Sequence, residues 1–420
     1  MKNCKVLFAV MAVIMLIASI GAPAMAEEKV KVTIWHTFTD AQQDYLVKAA
    51  ADFTASQDKY EVVVESQAYS GFTNTVSNAV RSGDGPDIIF NYASEAASYV
   101  DDGLVADLSQ YIYADETGIE GFDTCLSAGV MEGEVDGFSD GAIHYLPAYT
   151  TGPILFYNKT MLDELGIAIP TTWEEVEAAC RVIKAEKGIP GLGFDSLTDV
   201  IQMLIMEEGC GYIDVENKCV TFGTDGMKAK IQWMADMAAE GLFQISPSVD
   251  YFSTDFNSGA TAMYIGSCAG YPYIAPNGFE FGMAAMPAQT WYPSWNRGPI
   301  VFYYGDDARA EGAYEFVKYF ISADVNLGWV VACNALSPYA WTQALPEYQE
   351  YVAGEGAAIQ ALNAVGAHLD IAGSLPAVTG SATVRNEIVN ALKNVVNNGM
   401  TVEEAWNACV ENCNAALQGN

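Results

Sequence analysis

The sequence predicts an α/β protein made of two lobes. Short apolar runs alternate with amphipathic stretches along the chain, which is typical of strands and helices packed in layers. Hydrophobic residues make up 51% of the chain and aromatic residues 12%, so the protein can bury substantial cores. A chain of 420 residues is longer than a single hydrophobic core usually supports. We therefore expect two lobes joined by several crossings.

The first 26 residues have the pattern of a signal peptide. Lys2 and Lys5 precede an apolar run at 6–20. Ala24, Met25 and Ala26 form the small-x-small pattern that a signal peptidase recognises. The run is too short for a stable membrane anchor. Cys4 precedes the run, whereas the lipidated cysteine of a lipoprotein follows it. We therefore expect an exported, soluble protein, periplasmic or extracellular, without a lipid anchor.

The chain is strongly acidic, with 53 acidic against 19 basic residues and a net charge of −34. Such a charge repels nucleic acid and anionic lipid and keeps a protein soluble and monomeric. We expect a monomer without a nucleic-acid partner.

Eight cysteines follow the signal peptide, and they are scattered along the chain. Cys210 and Cys219 flank a turn-rich stretch and either form a bridge across a hairpin or remain free. Cys409 and Cys413 lie one helical turn apart, a poor geometry for a disulfide, so we expect free thiols there. No Cys-x-x-Cys pattern indicates zinc.

The N-terminal third predicts strands at 30–35, 61–65 and 87–90 with two helices between them. The first helix begins at Asp40, and its apolar face is Leu46, Ala49, Ala50 and Phe53; the second has the face Phe72, Val76, Ala79 and Val80. This βαβαβ order predicts parallel strands with the ligand at their carboxyl ends.

The pattern then changes. Two strand-like runs at 143–147 and 153–157 flank the segment 148–152, which is either a hairpin or a crossing between lobes. Thr172 and Glu175 predict a capping box opening a helix to about Lys187, and a second helix runs from about Asp225 to Gly241. Further strands are predicted at 262–265, 281–286 and 299–304, followed by a helix through Phe320 and a mostly helical remainder ending with a helix at 402–417.

Catalytic and metal motifs are weak. His36, His144 and His368 have no mutual spacing typical of a metal site, and no nucleotide loop is complete, so we expect neither metal nor cofactor. The 53 acids contain many close pairs, and no pattern singles out one of them, so a secreted sugar-cleaving enzyme remains an alternative.

Aromatic residues are dense in the irregular segments between strands, where they either cover the core or stack on sugar rings. They are Tyr271, Tyr273, Trp291, Tyr292 and Trp295. Arg297 ends this stretch, and Arg385 stands near the start of a later helix. Arginines are scarce in this acidic chain, which makes both candidates for ligand binding.

Several segments, in order, resemble the extracellular solute-binding proteins of ABC importers, the class that includes the maltose- and glycerol-3-phosphate-binding proteins. They are the Ile34-Trp35-His36 opening, the Gly85-Pro86-Asp87 turn, residues 146–159 (LPAYTTGPILFYNK), 170–175 (PTTWEE), 256–263 (FNSGATAM) and 400–405 (MTVEEA). Together they span nearly the whole chain after the signal peptide.

The resemblance implies a two-lobed type II periplasmic-binding fold with hinge crossings near 148–153 and 286–298. It places residues 27–148 and about 290–335 in lobe 1, and residues 152–286 and about 336–420 in lobe 2. The implied ligand-binding residues, with the aromatic and arginine candidates above, are Trp35, His36, Tyr69, Thr150, Thr151, Ser267, Trp291, Trp295, Arg297 and Arg385. Ala93 and Ala335 depart from the glycerol-3-phosphate subfamily, so the polyol end of the pocket differs.

The predicted function is therefore a non-enzymatic receptor that delivers a solute to the transmembrane subunits of an ABC permease. Carbohydrate is the first ligand class, and glycerol-3-phosphate or a glycerophosphodiester is the alternative.

Overall fold

The computed structural model describes residues 28–245, 251–376 and 378–419. The expected signal peptide, residues 1–26, lies outside this part of the chain. The strands are β1 Val30–His36, β2 Tyr60–Ser66, β3 Ile88–Asn91, β4 Tyr149–Thr151, β5 Pro153–Asn158, β6 Leu192–Phe194, β7 Ile213–Asp214, β8 Cys219–Val220, β9 Phe243–Gln244, β10 Met263–Ser267, β11 Phe281–Ala285, β12 Tyr292–Pro293, β13 Trp295–Val301 and β14 Ala372–Gly373.

The α-helices are Asp40–Ser56, Phe72–Ser82, Ala93–Val100, Ser109–Ile112, Ala128–Val130, Lys159–Leu165, Trp173–Lys187, Leu197–Glu207, Asp225–Ala239, Ser253–Ser258, Asp307–Phe320, Ala323–Cys333, Ala340–Gln343, Pro346–Val352, Ala357–Gly366, Ser381–Asn398 and Val402–Leu417. A π-helical segment, Met131–Val135, and short 3-10 turns complete the secondary structure.

The first sheet has the strand order β2-β1-β3-β13-β4. Alternate residues of β1, including Val32 and Ile34, are fully buried, which is why this period-two sequence forms a strand against a core. β1 is parallel to β2 and β3, whereas β13 is antiparallel to β3 and β4. The predicted βαβαβ opening is confirmed.

The second sheet has the order β11-β5-β10-β6-β9. Its strand β5 is buried at every position, from Pro153 to Asn158, as a central strand covered on both faces should be. β10 is parallel to β6 and antiparallel to β5, so the carboxyl ends of β6 and β10 lie at the same edge. The helix Leu197–Glu207 begins at this edge, shortly after β6.

The segment 148–152 is a crossing between the two sheets, not a hairpin. β4 pairs with β13 in the first sheet, and after Gly152 alone β5 enters the second sheet. A Cβ on Gly152 would lie 2.1 Å from the Tyr292 hydroxyl, so only glycine fits at this point of the chain.

The strand predicted at 143–147 is wrong. This stretch runs beside β13 but contributes only an isolated bridge between Tyr145 and Ile300. Pro147 has no N–H to donate, and a Cβ on Gly298 would lie 2.0 Å from the Leu146 carbonyl oxygen. The proline interrupts a regular hydrogen-bond ladder. The backbone nevertheless lies in close contact with β13.

Each sheet has its own apolar core. Side chains from 32–148 and 300–341 cover the first sheet, and most of those from 154–292 and 330–417 cover the second. We propose the lobe boundaries predicted from the sequence. Near residues 290 and 335 the chain moves from one apolar core to the other. Tyr292 packs in the second core and Tyr339 in the first.

Helix ends follow the predicted capping chemistry in part. The Thr172 hydroxyl accepts from the Glu175 N–H at 3.2 Å, but the Glu175 carboxylate accepts from Thr171 instead of Thr172. The last helix, Val402–Leu417, has a complete capping box between Thr401 and Glu404, at the bounds predicted. The eight cysteines in the described part of the chain are all free thiols, including Cys210 and Cys219.

Across residues 28–245, 251–376 and 378–419, no single helix is both long and apolar enough to cross a membrane. By length and composition alone, the bent pair Asp307–Phe320 and Ala323–Cys333 would qualify together, with 75° between its two helices.

Candidate functional site

A cavity of about 510 Å³ lies between the two lobes. This volume is typical of a small-molecule binding site. The chain up to Glu134 lines it with Tyr92, Ala93, Ser94 and Glu134, and β13 of the first sheet adds Trp295. The remaining lining residues are Asp199, Gln202, Tyr212, Trp291, Pro293, Ser294, Gly373, Ser374, Leu375, Pro376, Ser381 and Arg385. A ligand held here would contact both lobes at once.

The polar wall of the cavity is built on the helix Leu197–Glu207. The Asp199 carboxylate accepts a hydrogen bond from the Trp295 indole N–H at 3.0 Å and lies 3.8 Å from the Arg385 guanidinium. Gln202 accepts from Arg385 at 3.1 Å and donates to the Tyr212 hydroxyl at 3.0 Å. The arginine is therefore positioned by two side chains of one helix.

Asp199 is 5% exposed, and this burial raises the pKa of its carboxyl. Arg385, and then the hydrogen bond from Trp295, act in the opposite direction by stabilising the charged form. Asp199 and Arg385 form one partly neutralised pair at the cavity wall.

The opposite wall carries a second carboxyl, Glu134, in the π-helical segment Met131–Val135. A Cβ on Gly133 would lie 2.1 Å from the Ser374 carbonyl oxygen, so the backbones of the two segments are in direct contact. The Ser374 amide also donates to the Gly129 carbonyl at 3.2 Å. These contacts fix the direction in which Glu134 enters the cavity.

Glu134 is 7% exposed, and its Oε2 atom has no hydrogen-bond partner among the described residues. Burial raises the pKa of Glu134 to about 8, against the opposing effect of hydrogen bonds from Ser374 and Asn296. This carboxyl therefore titrates near neutral pH, and one of its buried oxygens has no hydrogen-bond partner among the described residues.

Four aromatic side chains complete the cavity: Tyr92, Tyr212, Trp291 and Trp295. Trp291 lies directly against the backbone of Gly373, where a Cβ would come within 2.2 Å of the indole nitrogen. Short parallel pairing of β12 with β14 holds these two segments together. Tyr92 is 45% exposed at the mouth of the cavity, so its ring is accessible to a ligand.

Of the predicted site residues, the structure brings Trp291, Trp295 and Arg385 together at the cavity. Thr150 and Thr151 lie on β4, at the crossing. The Thr150 hydroxyl donates to the Asn296 side chain at 2.6 Å, and the Thr151 hydroxyl donates to the Trp295 carbonyl at 3.4 Å. Neither threonine is among the lining residues of this cavity.

Arg297 is also placed away from the cavity lining. Its guanidinium donates twice to the Phe90 carbonyl, at 3.2 and 3.0 Å, and lies 5.0 Å from the centre of the Phe38 ring. In this arrangement Arg297 holds β13 against the end of β3.

The other four predicted residues are also placed outside the cavity lining. Trp35 donates to Glu65 at 2.8 Å, and the His36 ring accepts from the Phe38 N–H at 3.1 Å. His36 is 2% exposed, and this burial lowers its pKa. Tyr69 is 83% exposed, and the Ser267 hydroxyl accepts from the Ala269 N–H at 3.2 Å.

Several lining residues, chiefly Glu134, Asp199 and Gln202, are not among those predicted from the sequence. For Asp199 and Gln202 a signal was present, because the helix around them is apolar on every side. Val200, Ile201 and Met203 are all fully buried, and polar residues within such a helix must be buried too. Glu134 stands among other acids in a Gly-containing stretch, where nothing local marks it.

Comparison with known proteins decides the family. The model of the bacterial extracellular solute-binding protein family matches residues 48–356, well over half of the chain. The chain belongs to this family.

Relatives and solved structures agree with this assignment. The sn-glycerol-3-phosphate-binding periplasmic protein UgpB of Rhizobium meliloti (strain 1021) is 25% identical over 327 residues, covering 73% of this chain and 74% of the relative. UgpB of Agrobacterium fabrum (strain C58) is 26% identical over 307 residues, covering 68% and 69%.

Among solved structures, the cyclic alpha-maltosyl-1,6-maltose binding protein from Arthrobacter globiformis superposes with a TM-score of 0.79 at 22% identity, covering 94% of this chain and 100% of that one. The sugar-binding protein MalE from Xanthomonas citri gives 0.76 at 18% identity, with 93% and 98% covered. These similarities confirm the predicted two-lobed α/β fold of this solute-binding protein.

Glu134 should make the stability of the empty solute-binding protein depend on pH. Because its pKa is higher in the folded than in the unfolded state, the folded state binds the extra proton, and its contribution to stability is lost as pH rises from about 4.5 to about 8. Glu134→Gln should remove this part of the pH dependence. Urea unfolding of both proteins between pH 5 and 9 measures the difference, and parallel pH profiles would contradict it.

Proposed function

We propose that this protein is the receptor of an ABC transporter that captures a carbohydrate between its lobes. The observation that carries the proposal is the combination of Trp291, Trp295, Tyr92 and Tyr212 with polar side chains in one cavity of about 510 Å³. Aromatic rings stack on the apolar faces of sugars, while buried polar groups bind hydroxyls. Family membership supports the binding role.

The solved neighbours support a sugar as the ligand class. One of them is a cyclic alpha-maltosyl-1,6-maltose binding protein, and another is a cyclo/maltodextrin-binding protein complexed with maltotetraose. At identities of 22% and 17% these likenesses show the fold alone, so the ligand class depends on the cavity residues of this chain.

Glycerol-3-phosphate or a glycerophosphodiester is the second candidate. Its support is Arg385, which can bind a phosphate through paired hydrogen bonds, and the UgpB relatives, whose name gives sn-glycerol-3-phosphate as ligand. However, Arg385 already contacts Asp199 and Gln202, and a second carboxyl, Glu134, lines the same cavity. An anion would have to compete with these acids, which favours the carbohydrate.

The receptor acts without chemical conversion and delivers its ligand to the transmembrane subunits of the permease. We place it outside the cytoplasm, in the periplasm or extracellular medium, as a monomer without lipid anchor or nucleic-acid partner. The acidic composition, with a net charge of −34, supports the monomeric state and the lack of a nucleic-acid partner.

A thermal-shift screen tests the proposal. The purified protein is heated with mono- and oligosaccharides, glycerol-3-phosphate and glycerophosphodiesters, because a ligand that binds only the folded state raises the melting temperature. We expect at least one neutral or amine-bearing sugar to stabilise the protein and to be recovered unchanged by chromatography. Stabilisation by phosphate esters alone would favour the second candidate, and hydrolysis of the sugar would indicate an enzyme.

A further inference from the structure

The charged groups of the cavity do not balance. Two carboxyls line it, Glu134 and Asp199, whereas Arg385 is the one cation among the lining residues. Arg385 lies 3.8 Å from Asp199, so these two charges partly offset each other. Glu134 is the carboxyl left without a positive partner.

Among the described residues, no positively charged side chain pairs with Glu134. Within the described part of the chain, no lysine, arginine or histidine forms an ion pair with it, and its hydrogen-bonding neighbours, Asn296 and Ser374, are neutral. The titratable groups that face it are Tyr92, Tyr145 and Tyr339. Burial raises the pKa of each of these tyrosines, so all three are uncharged near neutral pH.

The Glu134 side chain lines the cavity, and the hydrogen-bonding capacity of one of its oxygens is unused among the described residues. Oε2 is buried and has no partner in the described residues, although buried polar atoms are nearly always paired. The aromatic rings across the cavity present negative faces, which also attract cations. At longer range the net charge of −34 draws cations toward the protein.

We propose that the ligand is an amino sugar, whose protonated amine binds the Glu134 carboxylate while its ring stacks on the cavity aromatics. This inference rests on the proposed carbohydrate function and names the chemical class within it. The ammonium group supplies both the hydrogen-bond donor and the positive charge that Glu134 lacks.

Other ligand chemistries meet the site less well. A neutral hydroxyl pairs with the protonated carboxyl through an ordinary hydrogen bond, which is weaker than the charge-assisted bond between an ammonium and a carboxylate. A phosphate brings a negative charge to a cavity wall that already carries Asp199, and it gains nothing from ionisation of Glu134. An acetylated amine has an N–H to donate but no charge.

Binding of a protonated amine favours the ionised form of Glu134. Since the pKa of Glu134 is about 8 in the empty protein, its carboxyl is largely protonated at pH 7. Binding of an ammonium ligand there releases a proton to the solvent, and the affinity falls at lower pH, where the carboxyl is harder to ionise.

Matched sugars test the inference. Glucosamine, N-acetylglucosamine and glucose are compared by calorimetry, together with the β-1,4-linked disaccharide of each, in two buffers of different ionisation enthalpy at pH 7. We expect the amine form to bind at least tenfold more tightly than its matched neutral partners and to release protons. Equal or weaker binding of the amine would overturn the inference, while binding of the neutral sugars would leave the carbohydrate function intact.

Two variants locate the effect. Glu134→Gln should reduce the preference for the amine to within about threefold of the neutral sugar and abolish proton release, while retaining binding of the neutral sugar. Glu132→Gln, an exposed acid two residues away, is the control and should behave as the native protein. An unchanged amine preference in Glu134→Gln would overturn the assignment to this carboxyl, and failure of every sugar to bind would overturn both proposals.

Discussion

Replacing Trp295 with alanine should weaken carbohydrate binding by about 2–3 kcal/mol, which corresponds to roughly 30- to 150-fold in Kd. The substitution removes a ring from the cavity lining and also the N–H that donates to Asp199 at 3.0 Å. Asp199 would then keep Arg385 alone, at 3.8 Å, as its side-chain partner in the described contacts. Calorimetric titration with the best sugar from the screen measures the loss.

Companion variants separate stacking from charge. Trp295→Phe retains an aromatic ring and should recover part of the affinity, and Tyr113→Ala, at an exposed position outside the cavity, should leave binding unchanged. For a neutral sugar, Arg385→Ala should cost only about 1–2 kcal/mol, because the arginine then donates ordinary hydrogen bonds. If Arg385→Ala costs more than Trp295→Ala, the ligand is an anion and the carbohydrate proposal is wrong.

Replacing Asn296 with leucine should lower the free energy of unfolding by about 2–4 kcal/mol. Asn296 is fully buried beneath the cavity, where its amide accepts from Thr150 and donates to Ser294 and Ser374, at distances of 2.6 to 3.0 Å. Leucine has a similar volume but leaves all three hydroxyls without this partner. Urea unfolding at neutral pH is the measurement.

The same variant should weaken ligand binding, because Asn296 and Ser374 favour the ionised form of the Glu134 carboxyl at the cavity wall. Asn390→Leu, an exposed asparagine on the helix Ser381–Asn398, is the matched control and should change stability by no more than about 0.5 kcal/mol. Equal stability of the two leucine variants would show that the hydrogen bonds of Asn296 contribute little to the free energy of unfolding.

Local patterns predicted most of the secondary structure. The strands at 30–36, 60–66 and 153–158 and the helix Val402–Leu417 have strong periodicity or clear caps, and their bounds agree within a residue. The run at 143–147 has the composition of a strand, yet Pro147 prevents a continuous ladder. Whether 148–152 was a hairpin or a crossing depended on partners far along the chain, which local sequence does not specify.

The site was predictable where one segment carries the chemistry. Trp291 and Trp295 stand together in an aromatic stretch, and Arg385 was conspicuous because arginine is rare in the chain. Glu134 becomes a site residue only because residues 129–133 pack against 372–374, bringing together segments that are distant in sequence. Arg297, by contrast, donates hydrogen bonds to a backbone carbonyl. Its sequence context does not distinguish this structural role from ligand binding.

The position of β13 in the first sheet has a consequence for synthesis of the chain. β13 lies between β3 and β4 in the first sheet. Its residues, Trp295–Val301, come after every strand of the second sheet in the sequence. A nascent chain that ends before Trp295 therefore lacks a central strand of the lobe that is made first. The first sheet therefore cannot be completed until more than two-thirds of the chain is available for folding.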